Sequence, residues 1–320
     1  MTLRVAVQMD PLQGVNIEGD STFAIMLGAQ ARGHELFYYA PEDLSWAEGR
    51  LWTMGHPVKV KPIAGAHYDL GEPRILDLGR DVDVVLMRQD PPFDLGYITA
   101  THLLERIRSE TLVVNDPESV RNAPEKVWVL DFARFMPPTI LTRSVGLSRR
   151  FIEEHGDVVI KPLHGNAGKA VFKIGRDGAN LASLIELFNA AYREPHVVQA
   201  FVPEIEQGDK RIVLIDGEVA GAVNRVPGKG EIRSNLAVGG VAAKTELTET
   251  EKEICAALGP ELKARGLLFV GIDVIGGKWL TEINVTSPTG IVAIDRFNGT
   301  DTPGLIWDSI DAKLNERGPA

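Results

Sequence analysis

At 320 residues, with 44% apolar and 24% charged side chains, the chain is long enough for two or three cored domains and reads as a globular, water-facing protein. A formal net charge of −10 argues against a nucleic-acid binder that works by general phosphate neutralisation, and no apolar run approaches a membrane span. The single cysteine, Cys255, excludes a disulfide framework and a multi-cysteine metal site. The opening MTLRVAVQMD enters as a strand with no apolar signal run, so the expected location is the cytoplasm.

In chain order, Leu3–Met9 is an apolar strand and Ser21–Arg32 a helix for which Ser21 is the expected cap. A second strand follows at Glu35–Tyr39. Residues 41 to 80, rich in Pro, Gly and His, read as long loops and edge elements. DVVLM at 83–87 is a buried parallel strand by its unbroken apolar run. RQDPPFD lies at its carboxyl end, where open α/β sheets bind ligands. Thr101–Arg108 reads as helix, Thr111–Val114 as strand, and helical character resumes near Glu125.

A second unit starts near Pro137. Residues 158–174, VVIKPLHGNAGKAVFKI, read as strand, glycine-containing loop and strand, followed by a helix at Asn180–Ala191 and a strand at His196–Phe201. KRIVLIDGEVAGAVNRV is a hairpin turning at Asp216-Gly217. PGKGEIRSNLAVGG, 227–240, holds too much glycine for a packed element and reads as a ligand-shaped loop. Helices at Thr250–Arg265, which carries Cys255, and Leu305–Glu316 complete the pattern.

The chemistry concentrates in VGIDVIGGKWLTEINVTSPTG, residues 270–290. Two apolar runs flank Gly276-Gly277, which favours a tight hairpin. With those glycines as the two turn residues, Ile275 faces Lys278 and Asp273 faces Leu280. Alternation then puts Asp273, Glu282 and Asn284 on one face, and Ile272, Val274, Trp279 and Ile283 on the other. Two carboxylates and an amide are an oxygen set suited to magnesium beside nucleotide phosphates. The bland reading is a solvated hairpin.

Lys161 closes the VVIK strand four residues before Gly165, where it can lie along a phosphate chain also held by loop amides. Lys126 would supply a second positive contact, against the bland reading of a solvated surface lysine. Lys210-Arg211, Arg225 and Arg233 precede the carboxylate hairpin and suggest clamps for an anionic substrate, against a surface ion-pair network. HGNAG is no P-loop, and MDPLQG lacks the dinucleotide glycine triplet.

The stretches VQMDP (7–11), LMRQDPPFD (86–94), IKPLHGNAG (160–168), GDKRIVLIDGE (208–218), RVPGKGEIRSNLAVGG (225–240), FVGIDVIGG (269–277) and LTEINVTSPTG (280–290) resemble prokaryotic glutathione synthetase, a family of ATP-grasp ligases. The resemblance runs nearly end to end. It implies an α/β and α+β ATP-grasp fold with an N-terminal open α/β domain at 1–122. A central subdomain at 123–202 would carry the lysine strand and the 164–168 loop. A C-terminal domain at 203–320 would carry the lid loop 227–240 and the metal-binding hairpin. It implies ATP-dependent joining of glycine to γ-glutamylcysteine through an acyl phosphate, giving glutathione, ADP and phosphate.

Residue by residue, the resemblance gives Lys126, Lys161, Gly165, Gly168 and Lys210 to ATP, with Gln199, Ala200, Phe201 and Val202 lining the adenine pocket. Arg211 and Arg225 would stand near the transferring phosphate, and Arg233 and Asn235 on the closing loop. Asp273, Glu282 and Asn284 would hold two magnesium ions, for which manganese can substitute. Arg88 and Asp90, at a strand end, are the expected holders of the dipeptide's charged groups. A homotetramer is implied, with no nucleic-acid or membrane partner. One departure stands out: the family's Asp-Gly-x-Gly-Gly loop is here His164-Gly165-Asn166-Ala167-Gly168. It keeps two other readings open, an ATP-grasp carboxylate–amine ligase with a shifted small-acid or peptide substrate, and a non-catalytic nucleotide-binding relative.

Overall fold

The computed structural model of the chain describes residues 2–165, 168–235 and 239–317. Its first sheet collects β1 (Arg4–Gln8), β2 (Glu35–Tyr39), β3 (Ser45–Ala47), β4 (Arg50–Val60), β5 (Tyr68–Leu70), β6 (Arg74–Asp77), β7 (Val84–Met87) and β8 (Leu112–Val114). The order is β3-β4-β2-β1-β7-β8, with β5 and β6 also pairing with β4. β1 is parallel to β2 and β7, and β7 to β8, as their unbroken apolar runs require. Residues 41–80 do contain edge strands and loops, but they also hold β4, an 11-residue strand in place of the expected long loops. β4 alternates buried Leu51, Thr53 and Gly55 with more open neighbours, a period broken by Pro57. That break hides the strand from a search for apolar runs.

Helix α1 (Ser21–Ala31) is capped by Asp20, whose carboxylate accepts the Phe23 N–H, so Ser21 is its first helical residue and not its cap. Helix α2 (Leu95–Glu105) starts six residues before the expected Thr101, capped by Asp94, whose side chain accepts the Tyr97 N–H. A short helix α3 (Pro117–Arg121) leads to a 3-10 stretch, Trp128–Phe135.

The central sheet holds β9 (Thr139–Thr142), β10 (Val158–Pro162), β11 (Phe172–Ile174) and β12 (His196–Ala200) in the order β11-β10-β12-β9, all antiparallel. Helices α4 (Val145–His155) and α5 (Leu181–Ala191) supply Ile152, Ile185 and Phe188 to a core of its own with Ile160 and Val198.

The third sheet runs β15-β14-β13-β16-β17 from β13 (Asp209–Ile215), β14 (Glu218–Val226), β15 (Val241–Ala243), β16 (Phe269–Ile275) and β17 (Trp279–Asn284). β13 and β14 turn at Asp216-Gly217, both at positive φ, as the Asp-Gly pair leads one to expect. Helix α6 (Glu249–Ala264) covers one face and opens with a capping box between Thr248 and Glu251. Cys255 is buried on it, and burial pushes its thiol up to about 12. Helix α7 (Ile291–Asn298) packs on the opposite face, and α8 (Thr302–Arg317) returns to α1, where Trp307 donates to the Ile25 carbonyl at 2.9 Å.

The first and third sheets share their cores. Val113 and Trp128 join Ile272 and Ile283 in one apolar cluster, and Val7 and Phe23 join Val213, Ile291 and Trp307 in another. Buried Asn115 stitches the seam by donating to the carbonyls of Phe269 and Val285 and accepting from the Phe269 N–H, each at 2.8 Å. Replacing it leaves three backbone groups without partners. Asn115→Ala should therefore lower unfolding stability by about 3 kcal/mol, read as a lower urea midpoint at unchanged slope.

Candidate active site

Strand alternation builds the site. On β13, Asp209 and Arg211 point to the face that α7 leaves open, whereas Ile212 and Leu214 point under α6. Asp209 pairs with Arg225 across β14, and Arg211 pairs with Asp273 across β16. The hairpin of β16 and β17 adds Glu282 and Asn284 to the same face. Its turn closes with the Lys278 N–H on the Ile275 carbonyl, and Gly276 and Gly277 both take positive φ.

The hairpin register differs from the expected one. Ile275 pairs with Trp279 rather than Lys278, a one-residue slip, and a bulge between Asp273 and Val274 adds another, so Asp273 faces Glu282 rather than Leu280. Two slips restore the side-chain parity of Glu282 and Asn284. Trp279 lies between the slips and is displaced by one, so Leu280, not Trp279, enters the core against Val274.

These side chains line a cavity of about 330 Å³ closed from the other side by the central sheet. Arg211 forks onto Asp273 through Nε at 2.6 Å and Nη2 at 3.1 Å, and its Nη1 donates to the Thr289 carbonyl. Gly271 makes this possible, since a Cβ there would stand 3.0 Å from Arg211 Cδ. Arg225 forks onto Asp209 at 2.7 and 2.6 Å and also reaches Asp273 at 3.0 Å. Burial works against charge on Asp273, but the two guanidinium groups outweigh it and hold its carboxyl well below the usual range. Burial pushes Asp209 upward despite Arg225, and Asp273 adds to that.

Glu282 meets Lys161 Nζ at 3.0 Å and Lys126 Nζ at 3.5 Å. Lys126 also donates to the Gly165 carbonyl at 2.7 Å and to Glu125 at 3.2 Å. It is only 5% exposed, so the solvated-surface reading of this lysine does not hold. Burial disfavours its charge, yet Glu282 and Glu125 hold its ammonium above the ordinary lysine value.

Of the residues singled out from the sequence, the cavity brings together Lys126, Lys161, Gly165, Gly168, Gln199, Ala200, Phe201, Val202, Arg211, Arg225, Arg233, Asn235, Asp273, Glu282 and Asn284. Lys210 is not among them. Alternation turns it to the other face of β13, where it binds Glu251 at 2.6 Å and the Glu246 carbonyl at 2.7 Å. Arg88 also stands outside, donating to Thr22 and to the Pro288 carbonyl and packing over Phe269. Asp90 does line the cavity. Asn166 and Ala167 of the altered loop, and residues 236–238 of the 227–240 loop, lie outside the described residues. His164 rests against Phe93, ring centroids 5.7 Å apart, and Gly168 packs on Arg233 and Asn235.

Glu125, Asp209, Thr281 and Thr289 line the cavity without having been singled out. Asp209 was recoverable, since it shares the face of Arg211 two residues on. The others depend on which loops meet.

Asp273 and Glu282 are directly paired across the ladder, and Asn284 Nδ2 lies 3.5 Å from Asp273, which leaves its amide oxygen free of that contact. Among the described residues no group of three His, Cys, Asp or Glu side chains is arranged for a metal. Two carboxylates and an amide nevertheless make the hard oxygen set that magnesium takes.

An open α/β sheet, a small antiparallel sheet and a larger antiparallel sheet with the cavity between the last two define an ATP-grasp ligase. Residues 3–121 match the prokaryotic glutathione synthetase N-terminal domain, and residues 125–299 match the prokaryotic glutathione synthetase ATP-grasp domain. A glutathione synthetase of Rhodopseudomonas palustris is 58% identical over 313 residues, covering 98% of this chain and 99% of the relative. One from Agrobacterium fabrum is 53% identical over 309 residues, covering 97% and 96%. The chain belongs to the prokaryotic glutathione synthetase family. In fold alone it is similar to a D-cycloserine synthetase, with a TM-score of 0.69 at 16% identity over 97% of this chain and 99% of that one.

The charge pairing has a pH signature. Burial would raise the Glu282 carboxyl, but Lys126 and Lys161 hold it below its ordinary range. Its contribution to stability is full above the unfolded value of about 4.3 and is lost as pH falls through the lower folded value. Glu282→Gln should lower stability by about 2–4 kcal/mol at pH 7, and the gap should shrink towards pH 3. Urea midpoints of parent and variant across that range check it; a constant gap contradicts the pairing.

Proposed function

We propose that this chain joins glycine to γ-glutamylcysteine with cleavage of ATP, giving glutathione, ADP and phosphate. It acts as an ATP-dependent carboxylate–amine ligase. The observation that carries the reading is one cavity shared by lysines reaching from the central side and carboxylates fixed on β16 and β17, within a chain of this family.

The cysteinyl carboxylate of γ-glutamylcysteine is a poor acyl donor, because oxide would have to leave. Transfer of the γ-phosphoryl group onto it makes an acyl phosphate; the glycine amine then attacks the carbonyl carbon and phosphate departs. No protein nucleophile is needed. Lys126 and Lys161 take the nucleotide phosphates, and Gln199 to Val202 take the base. The N–H groups of Ala200 and Phe201 are already spent on Pro138 and Asp157, which fixes this linker against the central sheet.

Six cations line the cavity, Lys126, Lys161, Lys169, Arg211, Arg225 and Arg233, against five carboxylates, Asp90, Glu125, Asp209, Asp273 and Glu282. A near-neutral wall cannot offset a triphosphate and a carboxylate substrate together. Asp273, Glu282 and Asn284 would hold two magnesium ions, with manganese able to substitute. When bound, these supply charge neutralisation for the transferring phosphoryl oxygens. Arg211 and Arg225, oriented by Asp273 and Asp209, stand ready for the phosphoryl and acyl oxygens. Residues 227–240, with Arg233 and Asn235, close the cavity and keep water from the acyl phosphate.

The three-part division at 1–122, 123–202 and 203–320 belongs to this reading, as do a homotetrameric assembly and a cytoplasmic location. Bearing on the location is only that, among the described residues, no helix is long and apolar enough to cross a membrane.

The test is a competition assay. With Mg-ATP, γ-glutamylcysteine and a panel of amines, the product mass should be that of glutathione with one ADP per peptide bond. Alanine should be outcompeted, because a glycine pocket excludes a Cβ. Another acyl substrate or amine with a higher kcat/KM overturns the named reaction.

The closing loop yields a separate expectation. Arg233 pairs with Glu231 at 2.5 Å and packs on Gly168, so it is already engaged within the loop region. Arg233→Ala should cut kcat at least about tenfold while ATP-analogue affinity stays within about twofold. Calorimetric binding beside steady-state rates separates the two, and equal losses contradict a closing role.

A further inference from the structure

Five carboxylates line the cavity, and four already face a cation of the protein. Glu125 meets Lys126 at 3.2 Å, Asp209 meets Arg225 at 2.6 Å, Asp273 meets Arg211 at 2.6 Å and Glu282 meets Lys161 at 3.0 Å. Asp90 is the exception: among the described residues no lysine or arginine forms an ion pair with it. Arg88, two residues earlier, acts on Asp90 through its charge but forms no ion pair with it, its hydrogen bonds going to Thr22 and the Pro288 carbonyl. The Asp90 backbone N–H is fixed by the Asp10 carboxylate at 2.7 Å, and the Ser287 hydroxyl beside it donates to the Arg88 carbonyl at 3.2 Å. The carboxylate is therefore positioned, open to the cavity and short of a positive partner.

The geometry points to Asp90 as the group that binds the α-ammonium of the γ-glutamyl residue. The assignment rests on the proposed substrate pair and adds a residue to it. Asp90 follows β7 of the first sheet, at the carboxyl end where such sheets take ligands. Of the lysines assigned to phosphate, Lys161 reaches in from the central sheet and Lys126 from the segment before it. In γ-glutamylcysteine the α-ammonium lies at the far end from the cysteinyl carboxylate that must meet the phosphoryl group. A dipeptide spanning the cavity thus brings its cation to the wall where a cation is missing. Partial desolvation at the cavity wall, with Asp10 and Asp20 nearby, pushes the Asp90 carboxyl upward against the pull of Arg88, and a bound ammonium relieves that cost.

The experiment compares γ-glutamylcysteine with glutarylcysteine, which lacks only the α-amino group, in the parent enzyme and in Asp90→Asn. The parent should favour γ-glutamylcysteine by about 10- to 100-fold in kcat/KM. Asp90→Asn should lose about that factor with γ-glutamylcysteine, through KM, and little with glutarylcysteine, while the KM values for glycine and ATP stay within about twofold. The parent comparison needs no variant, so a folding defect cannot mask the result. Equal use of the two acyl substrates by the parent overturns the assignment. Equal losses with both in Asp90→Asn, or a loss confined to the glycine KM, also overturns it and moves Asp90 to the acceptor amine. A parent that forms no peptide bond with γ-glutamylcysteine overturns the functional reading itself, and the assignment with it.

Discussion

Glu282 is the group on which the geometry of the cavity turns. It stands on the last strand of the third sheet, yet its two cations come from elsewhere: Lys161 from β10 of the central sheet and Lys126 from the segment that joins the first two sheets. A carboxylate enclosed at this depth needs opposite charge close by. Meeting that need pulls three distant pieces of chain into one wall. Lys126 then carries the contact further, to the Gly165 carbonyl of the glycine-containing loop. The position of that loop is thus coupled to the charge on one side chain of the opposite sheet. If nucleotide phosphates take the lysines, as proposed, Glu282 would be freed to hold a metal ion.

The two halves of the cavity are held by different means. The first and third sheets share apolar clusters and the Asn115 clamp, so they form a continuous body. The central sheet has its own small core, and Lys161 ties it to Glu282 of the third sheet through a polar contact. Polar contacts across a cavity can be exchanged for ligand contacts, whereas a shared apolar core cannot open without exposing it to water. That difference suits a clamp whose central part closes on a nucleotide against a fixed floor.

His164 stands where the family resemblance implies an acidic residue, and its ring lies against Phe93 of the PPFD segment. Burial, opposed by Glu194 and reinforced by Lys126, holds the imidazole below the ordinary histidine value. It therefore sits as a neutral ring on an aromatic neighbour near neutral pH and adds no charge beside the phosphate-facing lysines. Among the described residues of the 164–168 loop, Gly168, at positive φ and pressed by Arg233 and Asn235, is one that a side chain would disturb.

Periodicity and turn chemistry alone determined much of this protein. The parallel strands of the first sheet, the Asp-Gly and Gly-Gly hairpins, and the common face of Asp273, Glu282 and Asn284 all follow from local rules, because strand alternation and glycine φ are properties of a few adjacent residues. Those rules failed where the signal is not local. β4 was lost behind Pro57. The ladder of β16 and β17 slips twice, and only because two slips cancel did the shared face of Asp273, Glu282 and Asn284 survive while Trp279 did not. Lys210 and Arg211 look alike in the sequence, and only the sheet decides that one faces Glu251 and the other Asp273. Arg88 and Asp90 likewise look like a pair. Tertiary structure alone spends the buried arginine on Thr22 and Pro288 and leaves the aspartate open to the cavity, since the partner of a buried side chain is chosen by whichever distant segment is packed against it.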